Sequence, residues 1–474
     1  MSSEFQNWRY VIVGLLHSFW FMMFSQRFSM SISIVSMIKT NATAVFQHTN
    51  DTTTVNKTVD SSQDSYRFDW TNLDIGNVLA SFFYGYTLTQ LLGGYISSRH
   101  GSKTMLSIAM LISTLATFIT PFMAFTSFGV LIATRSLLGV MQGLMFPSLF
   151  SVFSKWVPKS ETTMLMSLFM SAEQTTVLFT APVGAGLSHS HFLGGWPVLY
   201  YLMTFLTLGN LVVWHLLVTN TPEEHRFISK TECDMISRDR ESEGVVSWKQ
   251  VPWRMLFTSR ASIAIFVGQW GYVWIWITLF TSLPLFYKNA YGVALMENSL
   301  FTALPYVCVL FFSNAVAYGV NSLLKRRMMS VTVARKLVYV VSVCTSAVCL
   351  IAATFFDNDS MVYVVIVICI GNSFIECNRA GVFANMVDVS PNFCGILCGI
   401  SQTLSCVAMF LQPITASYFI SSRGSLDDIK KEYRNFFYLC SGIAFFCSIV
   451  FVSSASGQQQ DWDGNDEEVQ PLVA

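Results

Sequence analysis

Five charged side chains stand well within long apolar runs: Arg27, Arg135, Glu173, Glu376 and Arg379. A charge at mid-bilayer costs roughly 2.5–3.5 kcal/mol on insertion scales, so each requires a partner or a task. Arg27 lies about 17 residues into the first run, ~25 Å along a helix, and Arg135 about eight residues into the fourth, ~12 Å. The first and fourth runs cross in opposite senses, so both guanidinium groups reach a similar depth. Neither run contains an acid. A planar guanidinium holds carboxylate or phosphate through two parallel hydrogen bonds, so the pair points to an anion site. The plain alternative is that each arginine snorkels to the interface or bonds a backbone carbonyl.

Glu173, in MSAEQTTVLF, lies about 11 residues, or ~17 Å, into its run. Two readings stand for it: a coupling acid that binds and releases a proton, or a structural partner that neutralises Arg135. Glu376 and Arg379 are three residues apart, a spacing that lets them pair on one helical face. They are read as an intramembrane pair, with an altered cavity lining as the second reading.

The elements that position these residues follow from composition. The chain has 474 residues, 53% hydrophobic and only 12% charged. Soluble domains carry about 25% charged residues, so a large soluble catalytic domain is excluded. Twelve apolar segments are legible, at about 10–38, 74–97, 103–124, 127–152, 162–188, 197–219, 261–287, 299–322, 333–355, 361–387, 394–420 and 434–454. The expected fold is therefore an all-α membrane protein of twelve transmembrane helices in two six-helix bundles. The expected organisation is an N-terminal bundle over 1–219 and a cytosolic linker over 220–260. A C-terminal bundle over 261–454 and an acidic tail over 455–474 follow. Lys+Arg and Asp+Glu balance at 28 each, which suggests no nucleic acid partner. Ten of the eleven cysteines lie after residue 300, mostly in apolar segments, as small packing side chains rather than a disulfide framework. No phosphate-cradling Gly-rich loop, enzyme constellation or metal site is legible, and no cofactor is expected.

Even-numbered spans put both termini on one side, and the Lys/Arg excess of that side places them in the cytosol. Arg99, Lys103, Lys155, Lys159 and Lys325–Arg327 contribute to that excess. The loop at about 39–73 then faces the lumen or exterior, and its three sequons, at Asn41, Asn50 and Asn56, are expected to carry glycans. Arg423, Lys430, Lys431 and Arg434 run against this bias.

Several motifs carry a resemblance. They are QRFSMSISIVSM, FFYGYTLTQLLGGYISSRHGSK, ATRSLLGVMQGLMFPSLFSVFSKWVPKSE, TPEEHRFISKTE with VPWRMLF, and VDVSPNFCGILCGIS. In this order the chain resembles, along nearly all its length, the anion–cation symporter branch of the major facilitator superfamily. That branch holds sialin, vesicular glutamate transporters and sodium–phosphate relatives.

The resemblance implies two six-helix bundles around a cavity that opens to each side in turn. It implies secondary transport of a small organic or inorganic anion, driven by a proton or sodium gradient or by membrane potential. A lysosomal, vesicular or plasma membrane is implied. A sodium-coupled phosphate or organic-anion carrier at the plasma membrane, or a transport-deficient sensor or scaffold, are the alternatives.

Arg27 and Arg135 match arginines that the family uses for substrate anions. Gln142 stands where the family has a glutamate, and Tyr272 where glutamate carriers have an arginine. Asn385 matches a family asparagine. All three join the arginines as expected substrate-binding positions. The substituted Gln142 removes the acid that usually exchanges a proton. The gating loops also lack their acids, at Ser98 and Asn321.

Overall fold

A computed structural model describes residues 7–38, 67–158, 161–189, 194–238, 251–357, 360–391, 393–421 and 425–463. The sequons at Asn41, Asn50 and Asn56 lie outside the described residues. Six spans come from the first part of the chain. They are α1 (Trp8–Met37), α2 (Asn72–His100), α3 (Ser102–Thr126), α4 (Phe128–Trp156), α5 with α6 (Thr162–Met170, Ala172–His189) and α7 (Pro197–Leu217). Between the halves lie short helices α8 (Lys230–Arg238) and α9 (Trp253–Thr258). Six more spans follow. They are α10 with α11 (Arg260–Ile277, Leu283–Tyr291), α12 (Leu295–Lys325), α13 (Val331–Ala352), α14 with α15 (Met361–Glu376, Val382–Val389), α16 (Cys394–Phe419) and α17 (Leu426–Ser454).

Nine helical stretches among the described residues are long and apolar enough to cross a bilayer. Two of the remaining spans, α1 and α5–α6, differ in local character. α1 buries Ser25, Gln26, Arg27, Ser29, Ser31 and Ser33, so its polar residues face protein. α5–α6 is interrupted at Ser171.

Local chemistry sets the helix ends. Thr71 and Asp74 form a reciprocal capping box that starts α2: Thr71 Oγ1 accepts from Asp74 N at 3.2 Å, and Asp74 Oδ2 accepts from Thr71 N at 2.9 Å. Gly101, at φ 83°, makes the turn from α2 to α3 in a conformation that other residues adopt at a cost.

The described residues pack as two units. The first draws on 1–243, 278–307 and 409–436. Its division from the rest falls within helices, because parts of the later spans bury themselves with α1 and α2. Lys288 Nζ donates to Val35 O at 2.5 Å. A Cβ on Gly76 would lie 2.7 Å from Pro413 O. Within this unit α2 and α4 approach most closely. A Cβ added at Gly139 would sit 1.8 Å from Phe82 O, so nothing larger than glycine fits. Ser136 Oγ donates to Ser81 O at 2.9 Å and Thr89 Oγ1 to Val140 O at 2.8 Å across the same seam. Near the N-terminus, Glu232 accepts from Trp8 N and Arg9 N at 3.1 Å each, and Arg9 Nε bonds Glu161 at 2.8 Å.

The second unit draws on 244–277, 308–408 and 437–474. Arg335 Nε bonds Asp388 Oδ2 at 2.7 Å, and Tyr339 Oη donates to Gly268 O at 2.8 Å. The chain leaving α17 folds back onto this unit. Gly457 N donates to Thr332 Oγ1 at 2.9 Å and Gln460 N to Val389 O at 3.1 Å. Asp463, 1% exposed, accepts from Ser390 Oγ and from Phe393 N.

Candidate functional site

The first unit holds the two arginines together. Arg27 of α1 is 5% exposed. Its guanidinium carbon lies 4.5 Å from the ring centre of Phe83, 4.9 Å from Phe82, 5.3 Å from Phe24 and 5.4 Å from Phe280. Tyr86 adds a fifth ring at 5.8 Å, and these are distances of cation–π attraction. Phe82 also lies 5.9 Å from the guanidinium carbon of Arg135, so one ring spaces both arginines.

The close α2–α4 seam is what makes this possible. Phe82 stands on α2 where Gly139 admits its backbone, and Arg135 is one turn from Gly139 on α4. Arg135 is 2% exposed. Its Nε and Nη1 have no hydrogen-bond acceptor. The ionisable groups that act on it are Tyr200 and Arg27, neither of them an acid. A buried guanidinium with idle N–H groups is costly unless something negative completes it. The arrangement suits an anionic group arriving from outside the protein chain.

Phe280 reaches this cluster from a π-helical turn, Thr278–Ser282, between α10 and α11. Thr281 Oγ1 donates to Gln412 Oε1 at 3.1 Å, and Gln412 Nε2 donates to Ser282 Oγ at 3.0 Å, fixing the turn. Such bulges concentrate at functional sites. This aromatic cage is not legible in the hydropathy or the motifs alone. The Phe82–Tyr86 spacing of four residues and the FFYGY run were the available signal.

The other expected site residues go elsewhere. Gln142 is fully buried, and its Nε2 donates to Met23 O at 3.1 Å and Gln26 Oε1 at 3.2 Å. Gln26 passes the chain on to Thr114 and Thr207. Gln142 thus joins four helices through the interior of the first unit, while its Oε1 receives no hydrogen bond. Tyr272 packs edge-on against Phe383 at 5.6 Å in the second unit. Asn385 Nδ2 donates to Ser456 O at 2.6 Å, anchoring the segment after α17.

Glu173 sits in the first turn of α6. Thr176 Oγ1 bonds Phe21 O, and Thr180 Oγ1 bonds Ser25 Oγ, so α6 runs parallel to α1. That register puts Glu173 level with Ser18, about nine residues or ~14 Å along the axis from Arg27. His17, at the same level, bonds Leu168 O through Nδ1 at 2.8 Å. The structure therefore brings Arg27 and Arg135 together and sets Glu173 at another level along α1. Glu376 and Arg379 do meet: Arg379 Nη2 is 2.9 Å from Glu376 Oε2.

Twelve spans and a buried cationic pair among rings are the features of a membrane solute transporter. The family model of the Major Facilitator Superfamily matches residues 19–413, and the chain belongs to that superfamily. It is 27% identical to sialin of Homo sapiens over 465 residues, covering 97% of this chain and 91% of that protein. It is 25% identical to sodium-dependent phosphate transport protein 3 of Mus musculus over 473 residues, covering 97% and 96%. With vesicular glutamate transporter 3 of Danio rerio it shares 24% over 458 residues, 96% of this chain and 74% of that one. The fold also matches the crystal structure of a D-xylose–proton symporter. The TM-score is 0.67 at 13% identity, over 95% of this chain and 99% of the other.

Proposed function

We propose that the chain is a secondary active transporter that moves a small organic or inorganic anion by alternating access, with Arg135 and Arg27 holding the anion. The observation that carries this reading is Arg135: 2% exposed, two N–H groups without acceptors, and Arg27 and Tyr200 as its charged or titratable neighbours. The similarity to sialin, a sodium-dependent phosphate transport protein and a vesicular glutamate transporter supports an anionic substrate. An ion gradient or the membrane potential drives the cycle. Gln142 is unsuited to proton exchange by its chemistry and by its bonds to Met23 O and Gln26.

The proposed topology places both termini in the cytosol and the loop over 39–73 on the opposite side, glycosylated at Asn41, Asn50 and Asn56. Glycosidase treatment then lowers the apparent mass of the wild type and leaves the triple Asn→Gln variant unchanged. The test of function is uptake by the purified protein in liposomes, with a panel of labelled carboxylates, phosphate and sulfate. At least one anion accumulates in the wild type and none in Arg135→Ala. Equal uptake by both proteins removes Arg135 from the site. Wild-type uptake of none of the panel rejects the anion reading.

A further inference from the structure

The second unit carries an open groove of about 720 Å³ between α10, α16 and α17. Phe266 and Trp270 of α10, Leu404 of α16, and Tyr438, Gly442 and Phe446 of α17 line it. Its volume falls within the ~300–1,000 Å³ of sites for small ligands. Gly442 leaves the groove open, since a Cβ there meets nothing within 4 Å. Leu404, Tyr438 and Phe446 are exposed along it. An apolar surface of this kind on a membrane protein is a place where lipid binds.

Depth narrows the kind of lipid. The start of α10 at Arg260 and the end of α17 at Ser454 belong to an odd and an even span, so they lie on one side of the membrane. Counted from those ends, the lining runs from Phe266, ~9 Å in, to Tyr438, ~24 Å in. That interval of ~15 Å is half of a ~30 Å hydrocarbon core, the depth of one leaflet.

The short helix α9 stands at the shallow end. Its Leu256 is buried, and its Phe257 lies 6.3 Å from Phe266 between ring centres, so α9 continues the groove wall. Trp253 and Phe257, one turn apart on one face, are exposed, and so are Arg254 and Arg260. Neither arginine forms an ion pair among the described residues. Aromatic rings beside arginines at the end of a span are the composition of a membrane–water interface. In the topology proposed above this end is cytosolic, and the cytosolic leaflet holds the anionic lipids. A polar solute would meet mostly hydrocarbon along the groove, and a sterol would leave both guanidinium groups unmatched.

We propose that this groove binds an anionic phospholipid of that leaflet, with one acyl chain between α10, α16 and α17 and the phosphate at Arg254 and Arg260. Guanidinium groups hold phosphate through charge-assisted hydrogen bonds. Trp253 lies at the level of the headgroup. The inference goes beyond the anion-transport reading and uses neither Arg27 nor Arg135.

The test uses the full chain purified in detergent. Phosphatidylserine and phosphatidylcholine of matched acyl chains are added in equal amounts, and bound lipid is read by native mass spectrometry. The wild type retains phosphatidylserine in excess. Arg254→Gln and Arg260→Gln each reduce that excess by about fivefold, the worth of one basic residue near an anionic surface. Gly442→Leu fills the groove and lowers retention of both lipids. Equal retention of the two lipids by the wild type overturns the proposal. So does an excess that survives the double arginine variant, full retention in Gly442→Leu, or displacement of phosphatidylserine by an equal amount of cholesterol. Should Gly442→Leu fail to fold, phosphatidylserine with a photoreactive acyl chain decides. It labels peptides of α10 and α17 in the wild type, and labelling confined to other helices overturns the proposal. The assay requires neither transport nor a known sidedness, so its failure is distinct from failure of the anion or topology readings.

Discussion

Arg135 and Arg379 are both arginines inside apolar spans, yet the chain treats them in opposite ways. Arg135 is sealed at 2% exposure, with Arg27 as its charged neighbour and Phe82 across its face. Arg379 is one-third exposed and leans on an acid three residues away. Arg135 carries Nε and Nη1 without acceptors, whereas Arg379 Nη2 stands 2.9 Å from Glu376 Oε2. An intramembrane charge is thus informative through its counterion.

The largest effect expected from breaking this contrast is at Arg135. Arg135→Ala should abolish uptake, and Arg135→Lys, which keeps charge but loses the fork, should weaken affinity by about ten- to a hundredfold, the worth of one charge-assisted hydrogen bond. Full affinity in the lysine variant would mean that a point charge suffices. Next comes the seam that places it. Gly139→Val puts side-chain atoms where a Cβ alone is 1.8 Å from Phe82 O, so folded protein should be lost from membranes. A normal yield, seen by size-exclusion chromatography, would show that α2 and α4 can part.

A smaller effect sharpens the contrast from the side of an absent acid. Gln142→Glu would aim a carboxylate at two acceptors, Met23 O and Gln26 Oε1, and should cost about 1–3 kcal/mol of stability, read as a lower Tm. A stable variant would mean that residue 142 turns towards solvent or ligand.

The smallest effect guards against confusing either site with pH sensitivity of another origin. Burial holds the His225 imidazole below its usual 6.5, beside Trp8 and Trp156. The unfolded chain then gains this proton first, so stability falls as pH drops below 6.5 towards the depressed folded value. His225→Gln should flatten that part of a Tm-against-pH curve by under ~1 kcal/mol and leave anion uptake unchanged. An unchanged curve would show that His225 contributes nothing to it.

The sequence exposed the spans well because bilayer physics writes them as runs of apolar residues. α17 nonetheless starts at Leu426, ahead of the expected 434, because Asp427, Asp428, Lys430 and Lys431 form two polar turns that hydropathy discards. The convergence of Arg27 and Arg135 was legible from depth alone. The aromatic cage was not, since Phe280 arrives from a distant part of the chain on a π turn that has no signature in periodicity. The backbone partners of Gln142 and Asn385 were not legible for a related reason: an amide reads the same whether it meets ligand or backbone, and here their N–H groups reach Met23 O and Ser456 O. Position along a helix gives depth, but it does not give the neighbours that decide a polar group's use.

The segment after α17 sets a limit on how this gene can be shortened. Ser456, Gly457, Gln460 and Asp463 each bond the second unit, and Asp463 meets both Ser390 and Phe393 at the start of α16. A stop codon just after Ser454 would preserve every span yet strip those partners, leaving the Ser390 hydroxyl, the Asn385 amide and the Val389 carbonyl without them. Nonsense variants and fused reporters placed between Ser454 and Asp463 therefore compete with the protein's own contacts.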